Sequence, residues 1–118
     1  MKYGSQSHLD YIKRRLQQKC RTRLPVSVEY VNDLGRVVRE LFPHWKIHKG
    51  RRLGVTINFP GHISIMIENH LDFEMKAQTL THEWAHATTP PEAPHHGVRW
   101  ARNYAKTYKC VYLRGKNK

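Results

Sequence analysis

Residues 82 to 86 read His-Glu-Trp-Ala-His. On a helix, His82 and His86 lie one turn apart and project from the same face. Their imidazoles can converge on one divalent cation, usually zinc. Glu83 is offset around the helix but reaches a water carried by that cation. Two neutral nitrogens anchor the metal, and one carboxylate takes a proton from its water. Such a trio performs metal-assisted hydrolysis, and the reading drawn from it is a small zinc peptidase. The chain holds nine His, so an accidental pair on an exposed amphipathic helix is the competing explanation, and the flanking sequence has to decide.

The segment around the pentapeptide has the marks of a packed helix over about residues 72 to 88. Asp72 suits an N-cap, and Glu74 adds negative charge to the first turn. Phe73, Ala77, Leu80, Trp84 and Ala87 recur at steps of four, three, four and three, one apolar stripe at the helical period. His82, Glu83 and His86 lie off that stripe. Thr88-Thr89-Pro90-Pro91 ends the helix, because proline restricts its predecessor and supplies no N–H. A catalytic zinc also needs a third protein ligand and one open position. A short proline-rich loop leads to Pro94-His95-His96-Gly97-Val98-Arg99-Trp100, which can fold back over the first two imidazoles. His96 is the first choice for the third ligand and His95 the second. Glu92 ranks last, since the Gly that usually makes the turn at that spacing is replaced here by Thr89.

The sequence Thr-Leu-Thr-His-Glu-Trp-Ala-His-Ala, followed by His-His-Gly-Val-Arg-Trp, resembles the SprT-like zinc metallopeptidases, the group that includes Spartan-type DNA–protein crosslink proteases. The resemblance covers roughly residues 79 to 100. It implies zinc held by His82, His86 and His96, with Glu83 as the catalytic carboxylate and Trp100 as a buried aromatic. The loop between His86 and His96 is short for that family, and the chain has no room for a downstream zinc ribbon. The resemblance therefore implies a stripped-down catalytic core.

A length of 118 residues at 39% hydrophobic content suits one domain of modest core size spanning 1–118. No run approaches the roughly 18 apolar residues needed to cross a bilayer, and the N-terminus is polar and basic rather than signal-like. The expectation is no membrane partner and a cytoplasmic location, in contact with DNA. Cys20 and Cys110 form no Cys-x-x-Cys pair. They could bridge the two terminal helices, but two reduced thiols are the plainer reading. A net charge of +12 is large for this size. Lys13, Arg14, Arg15, Lys19, Arg21 and Arg23 fill the first segment, and Lys46, Lys49, Arg51 and Arg52 surround Gly50. Arg99, Arg102, Lys106, Lys109, Arg114, Lys116 and Lys118 run to the end. A field of this sign favours nucleic acid, through phosphates and with little sequence selectivity.

The remaining pattern predicts an α+β fold, a minimal zincin-like domain with helices packed on a small antiparallel or mixed sheet. Helices are expected over about 5 to 21, 27 to 41 and 96 to 109, the last with Trp100, Tyr104 and Tyr108 in the core. Trp45 to His48 reads as a short strand. Val55, Ile57 and Phe59, then Ile63, Ile65 and Ile67, alternate around Pro60-Gly61 and read as a β-hairpin. The segment His62 to Glu68 is expected at the sheet edge, where a substrate chain could add as a strand. His62 and His70 read as ordinary surface residues. The expected activity is zinc-dependent hydrolysis of peptide bonds in protein or peptide substrates, including DNA-associated proteins. Tyr104, His95 and Arg99 are candidates for a second oxyanion donor. Two other classes stay open: a zinc-dependent hydrolase of nucleic acid, and a non-enzymatic basic DNA-binding protein with a structural zinc.

Overall fold

The computed structural model describes residues 2–44, 53–93 and 96–112. Four helices and three strands follow in the order α1 (Gln6–Lys19), β1 (Val26–Val31), α2 (Leu34–Leu41), β2 (Gly54–Phe59), β3 (His62–Glu68), α3 (Phe73–Thr88) and α4 (Val98–Tyr112). The fold is α+β. The sheet is mixed, in the order β1-β3-β2, with β1 parallel and β2 antiparallel to β3.

The hairpin forms as its sequence predicts. Pro60-Gly61 joins β2 to β3, and Gly61 takes φ +85, a left-handed conformation that costs glycine little. The alternation of β3 then divides the core. Ile63, Ile65 and Ile67 face one side, where Leu9, Ile12 and Leu16 of α1 and Ala77, Leu80, Trp84 and Ala87 of α3 meet them. Met66 joins Val55 and Ile57 on the other side, against Leu34 and Val38 of α2. One sheet face thus carries α1 and α3, and the opposite face carries α2. Each buried Leu, Ile or Val stabilises the fold by about 1.5–3 kcal/mol.

Three expectations are corrected. Residues 27 to 41 are not one helix, because Val26 to Val31 forms a strand paired along its length with β3. The run is rich in β-branched residues, and Asn32-Asp33 breaks it. Asp33 turns left-handed at φ 52 and caps α2 by accepting from the Arg36 N–H. The 3-4-3 spacing is real only in its second half. Next, β3 is the central strand, not an edge, since β1 and β2 occupy both of its sides. Finally, Tyr108 is not a core residue: it is 44% exposed, and α4 buries Thr107 and Cys110 instead. The strand expected at Trp45 to His48 and the basic turn around Gly50 lie outside the described residues. Among the described residues, no helix is long and apolar enough to cross a membrane.

Candidate metal centre

The site is built on α3. Asp72 caps this helix by accepting from the Met75 N–H at 2.9 Å, as its position predicts. The apolar stripe holds α3 against the sheet and α1. Trp84 is 1% exposed, and its Nε1 donates to the Cys20 carbonyl at 2.8 Å. At the C-terminal end, Thr89 N–H donates to the His86 carbonyl and the Thr89 hydroxyl to that of Ala85. These bonds terminate the helix before Pro90 and keep the last turn, with His86, in shape.

His96 reaches the pair from the start of α4. It adopts φ 56, the left-handed region that His enters more readily than most residues. That turn, followed by Gly97, lets the chain reverse into α4, whose first bond runs from the Ala101 N–H to the Gly97 carbonyl. Asn103, further along α4, donates through Nδ2 to the Thr89 hydroxyl at 3.0 Å and the Thr88 carbonyl at 3.3 Å. The end of α3 and the start of α4 are therefore tied directly.

One ligand atom from each of His82, His86 and His96 falls within 4.8 Å of the others, so the three can hold a metal ion. His82 Nε2 and His96 Nε2 are 3.3 Å apart. Two metal–nitrogen bonds of about 2.0–2.1 Å at the tetrahedral angle separate their nitrogens by about 3.3–3.4 Å. The spacing of that pair thus matches what a tetrahedral cation requires. Burial first, and the neighbouring His96 second, push the His82 imidazole below its ordinary pKa. The shift favours the neutral imidazole, the form that ligates. Trp100 packs against all three imidazoles, with ring centroids 5.1, 5.5 and 4.6 Å from those of His82, His86 and His96.

Glu83 is 7% exposed. Its Oε1 accepts from the Thr56 hydroxyl at 2.7 Å, and its Oε2 lies 4.0 Å from His82 Nε2. Thr56 sits on β2, on the face turned to α3. Gly54, two residues earlier, lies under the same helix, where a Cβ would come within 2.5 Å of Thr79 Cγ2 and 3.1 Å of Glu83 Cγ. Strand and helix can approach this closely only over glycine.

Of the residues read from the sequence, His82, Glu83, His86 and His96 come together. Glu92 is exposed and stands outside the His cluster. His95 lies outside the described residues. Tyr104 stacks on Trp100 at 5.1 Å, and its ring is 6.2 Å from that of His82, whereas Arg99 is exposed. His62 and His70 are exposed, as expected. The sequence reading missed Thr56, Gly54 and Asn103. Thr56 carried a faint signal, a polar residue on the inward-facing alternate of a strand, while Gly54 and Asn103 carried none. Compared with protein-family models, with curated proteins and with solved structures, the chain matches none of them.

Proposed function

We propose that the protein is a zinc-dependent metallopeptidase of the His-Glu-x-x-His type, organised like the SprT-like enzymes and acting inside the cell on proteins held on DNA. The observation that carries this reading is the convergence of three imidazoles beside a buried carboxylate that β2 holds in place. Zinc held by His82, His86 and His96 would supply a Lewis acid for the scissile carbonyl and a water of lowered pKa. Glu83 accepts a proton at Oε2 and returns it to the leaving amine. The bond from Thr56 occupies Oε1 and leaves Oε2 on the His82 side. Tyr104 is the candidate oxyanion donor that the described residues favour over Arg99, since its ring meets that of His82 edge-on at 6.2 Å whereas Arg99 is exposed.

The edge that serves an extended substrate is β2. Among the described residues it pairs only with β3, and Gly54 and Thr56 place it beside Glu83. DNA association is supported by α4, which contains no Asp or Glu and exposes Arg99, Arg102, Lys106 and Lys109. A protein bound to the same DNA gains effective concentration at the His cluster, which compensates for a weak peptide site.

The test uses Glu83→Gln. This variant is expected to retain zinc by elemental analysis and to cleave a DNA-bound protein at least about 100-fold more slowly. Undiminished cleavage by the zinc-loaded variant would falsify the proposal. The same centre and the same basic helix also favour a second reading, hydrolysis of nucleic acid. Chelator-sensitive scission of labelled RNA or single-stranded DNA, without proteolysis, selects it. Zinc with neither activity would leave a structural metal in a basic binding protein.

A further inference from the structure

Cys20 and Cys110 lie at opposite ends of the chain, yet the fold brings them together. Cys20 is the C-cap of α1, with its N–H donating to the Leu16 carbonyl at 2.7 Å. Cys110 is buried near the end of α4, and its thiol donates to the Arg15 carbonyl at 3.7 Å. Arg15 answers by donating from Nε to the Cys110 carbonyl at 2.9 Å. These reciprocal bonds dock the last turn of α1 on α4. Cys20 packs against the core cluster that contains Cys110 and Trp84, and Cys110 lies near enough to raise the Cys20 thiol. Both are free thiols here.

We propose that Cys20 and Cys110 are an oxidisable pair, a modification site at which a reversible disulfide staples α1 to α4. The oxidant is a small-molecule disulfide of the glutathione class. One protein thiolate attacks it, breaking its S–S bond and releasing one small thiol. The second protein thiolate attacks the resulting mixed disulfide, forming the Cys20–Cys110 bond and releasing the other small thiol. The protein loses two electrons and two protons, and the oxidant gains both. Burial, together with the Cys110 neighbour, pushes the Cys20 thiol up to about 11, so little thiolate exists at neutral pH and the reaction accelerates as pH rises.

The staple bears on the metal centre without depending on what that centre does. Trp84, between the two His of α3, is hydrogen-bonded to the Cys20 carbonyl. Trp100 and Asn103 belong to α4, the other stapled helix. The bond closes a loop around most of the chain, the arrangement in which a crosslink restricts the unfolded state most.

The test treats the full chain with oxidised glutathione at pH 8.5, against a dithiothreitol control. Expected are a mass loss of about 2 Da, a peptide joining Cys20 to Cys110, and a melting temperature raised by about 10 °C and reversed by reductant. Cys20→Ser and Cys110→Ser should each melt like the reduced protein and show no rise on oxidation. Two free thiols by alkylation after prolonged oxidation, crosslinked dimers in place of the internal bond, or an oxidised monomer that melts no higher than the reduced one would each overturn the proposal.

Discussion

A buried carboxylate is stable only when its lone pairs have partners, and for Glu83 the partner that can be named is the hydroxyl of Thr56. The bond also selects a rotamer, fixing which oxygen lies toward His82. Thr56→Val keeps the side-chain shape and removes the donor. In the proposed peptidase it should reduce turnover by about 10–100-fold while metal content is unchanged, because the three imidazoles are untouched. Unaltered turnover in that variant would show that Glu83 is oriented by something else. Gly54 acts through space rather than bonding. Gly54→Ala drives a methyl against Thr79 Cγ2, at 2.5 Å, and against Glu83 Cγ. Strand and helix must separate, so the variant should lose about 1–3 kcal/mol in denaturant titration and lose activity with it. Full stability would indicate that β2 yields without cost. Neither residue could be singled out in the sequence, since their roles exist only once β2 crosses α3, whereas His82, Glu83 and His86 declare themselves because their spacing is set within one helix.

At the scale of elements, legibility follows the same division between local and distant partners. The α3 helix was read nearly to its ends, since cap, stripe and prolines are all local signals. The β2–β3 hairpin was equally plain, its turn being two residues long. The parallel pairing of β1 with β3 was not, because the partner strand lies beyond a helix and the Val31, Leu34, Val38, Leu41 spacing imitates one longer helix. What ends β1 and begins α2 is partly Glu68, from the far end of β3. Its Oε1 accepts from the Leu34 N–H at 2.9 Å and its Oε2 from the His70 N–H at 3.4 Å. The Leu34 bond foremost, joined by those from His70 and Asp33, holds the Glu68 carboxyl below the usual carboxylate range, against the opposing effect of burial. Its folded pKa is therefore depressed relative to the unfolded value of about 4.3. The stability it contributes is complete above that value and is lost as pH falls through the folded one. Urea midpoints should decline as the pH is lowered below about 5, and Glu68→Gln should flatten that decline while lowering stability at pH 7 by about 1–3 kcal/mol. An unchanged acid slope in Glu68→Gln would assign the effect to other carboxylates.

For the molecule as a whole, the question is what a net charge of +12 does. Charge alone gives non-specific attraction to any polyanion. The surface of α4 adds something chemically narrower. Along a face of α4 other than the one that carries Arg102 and Lys106, Tyr108 and Tyr112 are 44% and 37% exposed, with ring centroids 4.6 Å apart. Tyr104 and Trp100 continue the row back to the three imidazoles. Rings on which bases can stack, on a helix whose other faces carry cations that track phosphates, favour a single strand over a duplex, whose bases are already stacked. Affinity for single-stranded DNA should therefore exceed that for duplex of equal length. It should fall with salt at a logarithmic slope of about −0.7 per phosphate neutralised. Lys106→Glu with Lys109→Glu should weaken both forms and flatten the salt slope. Tyr108→Ala should weaken the single strand by about 1–3 kcal/mol and leave the slope as it was. The two variants separate charge from stacking. Equal loss of duplex and single-strand binding in Tyr108→Ala would remove stacking from the account, and a flat salt dependence in the parent chain would remove the phosphate contacts as well.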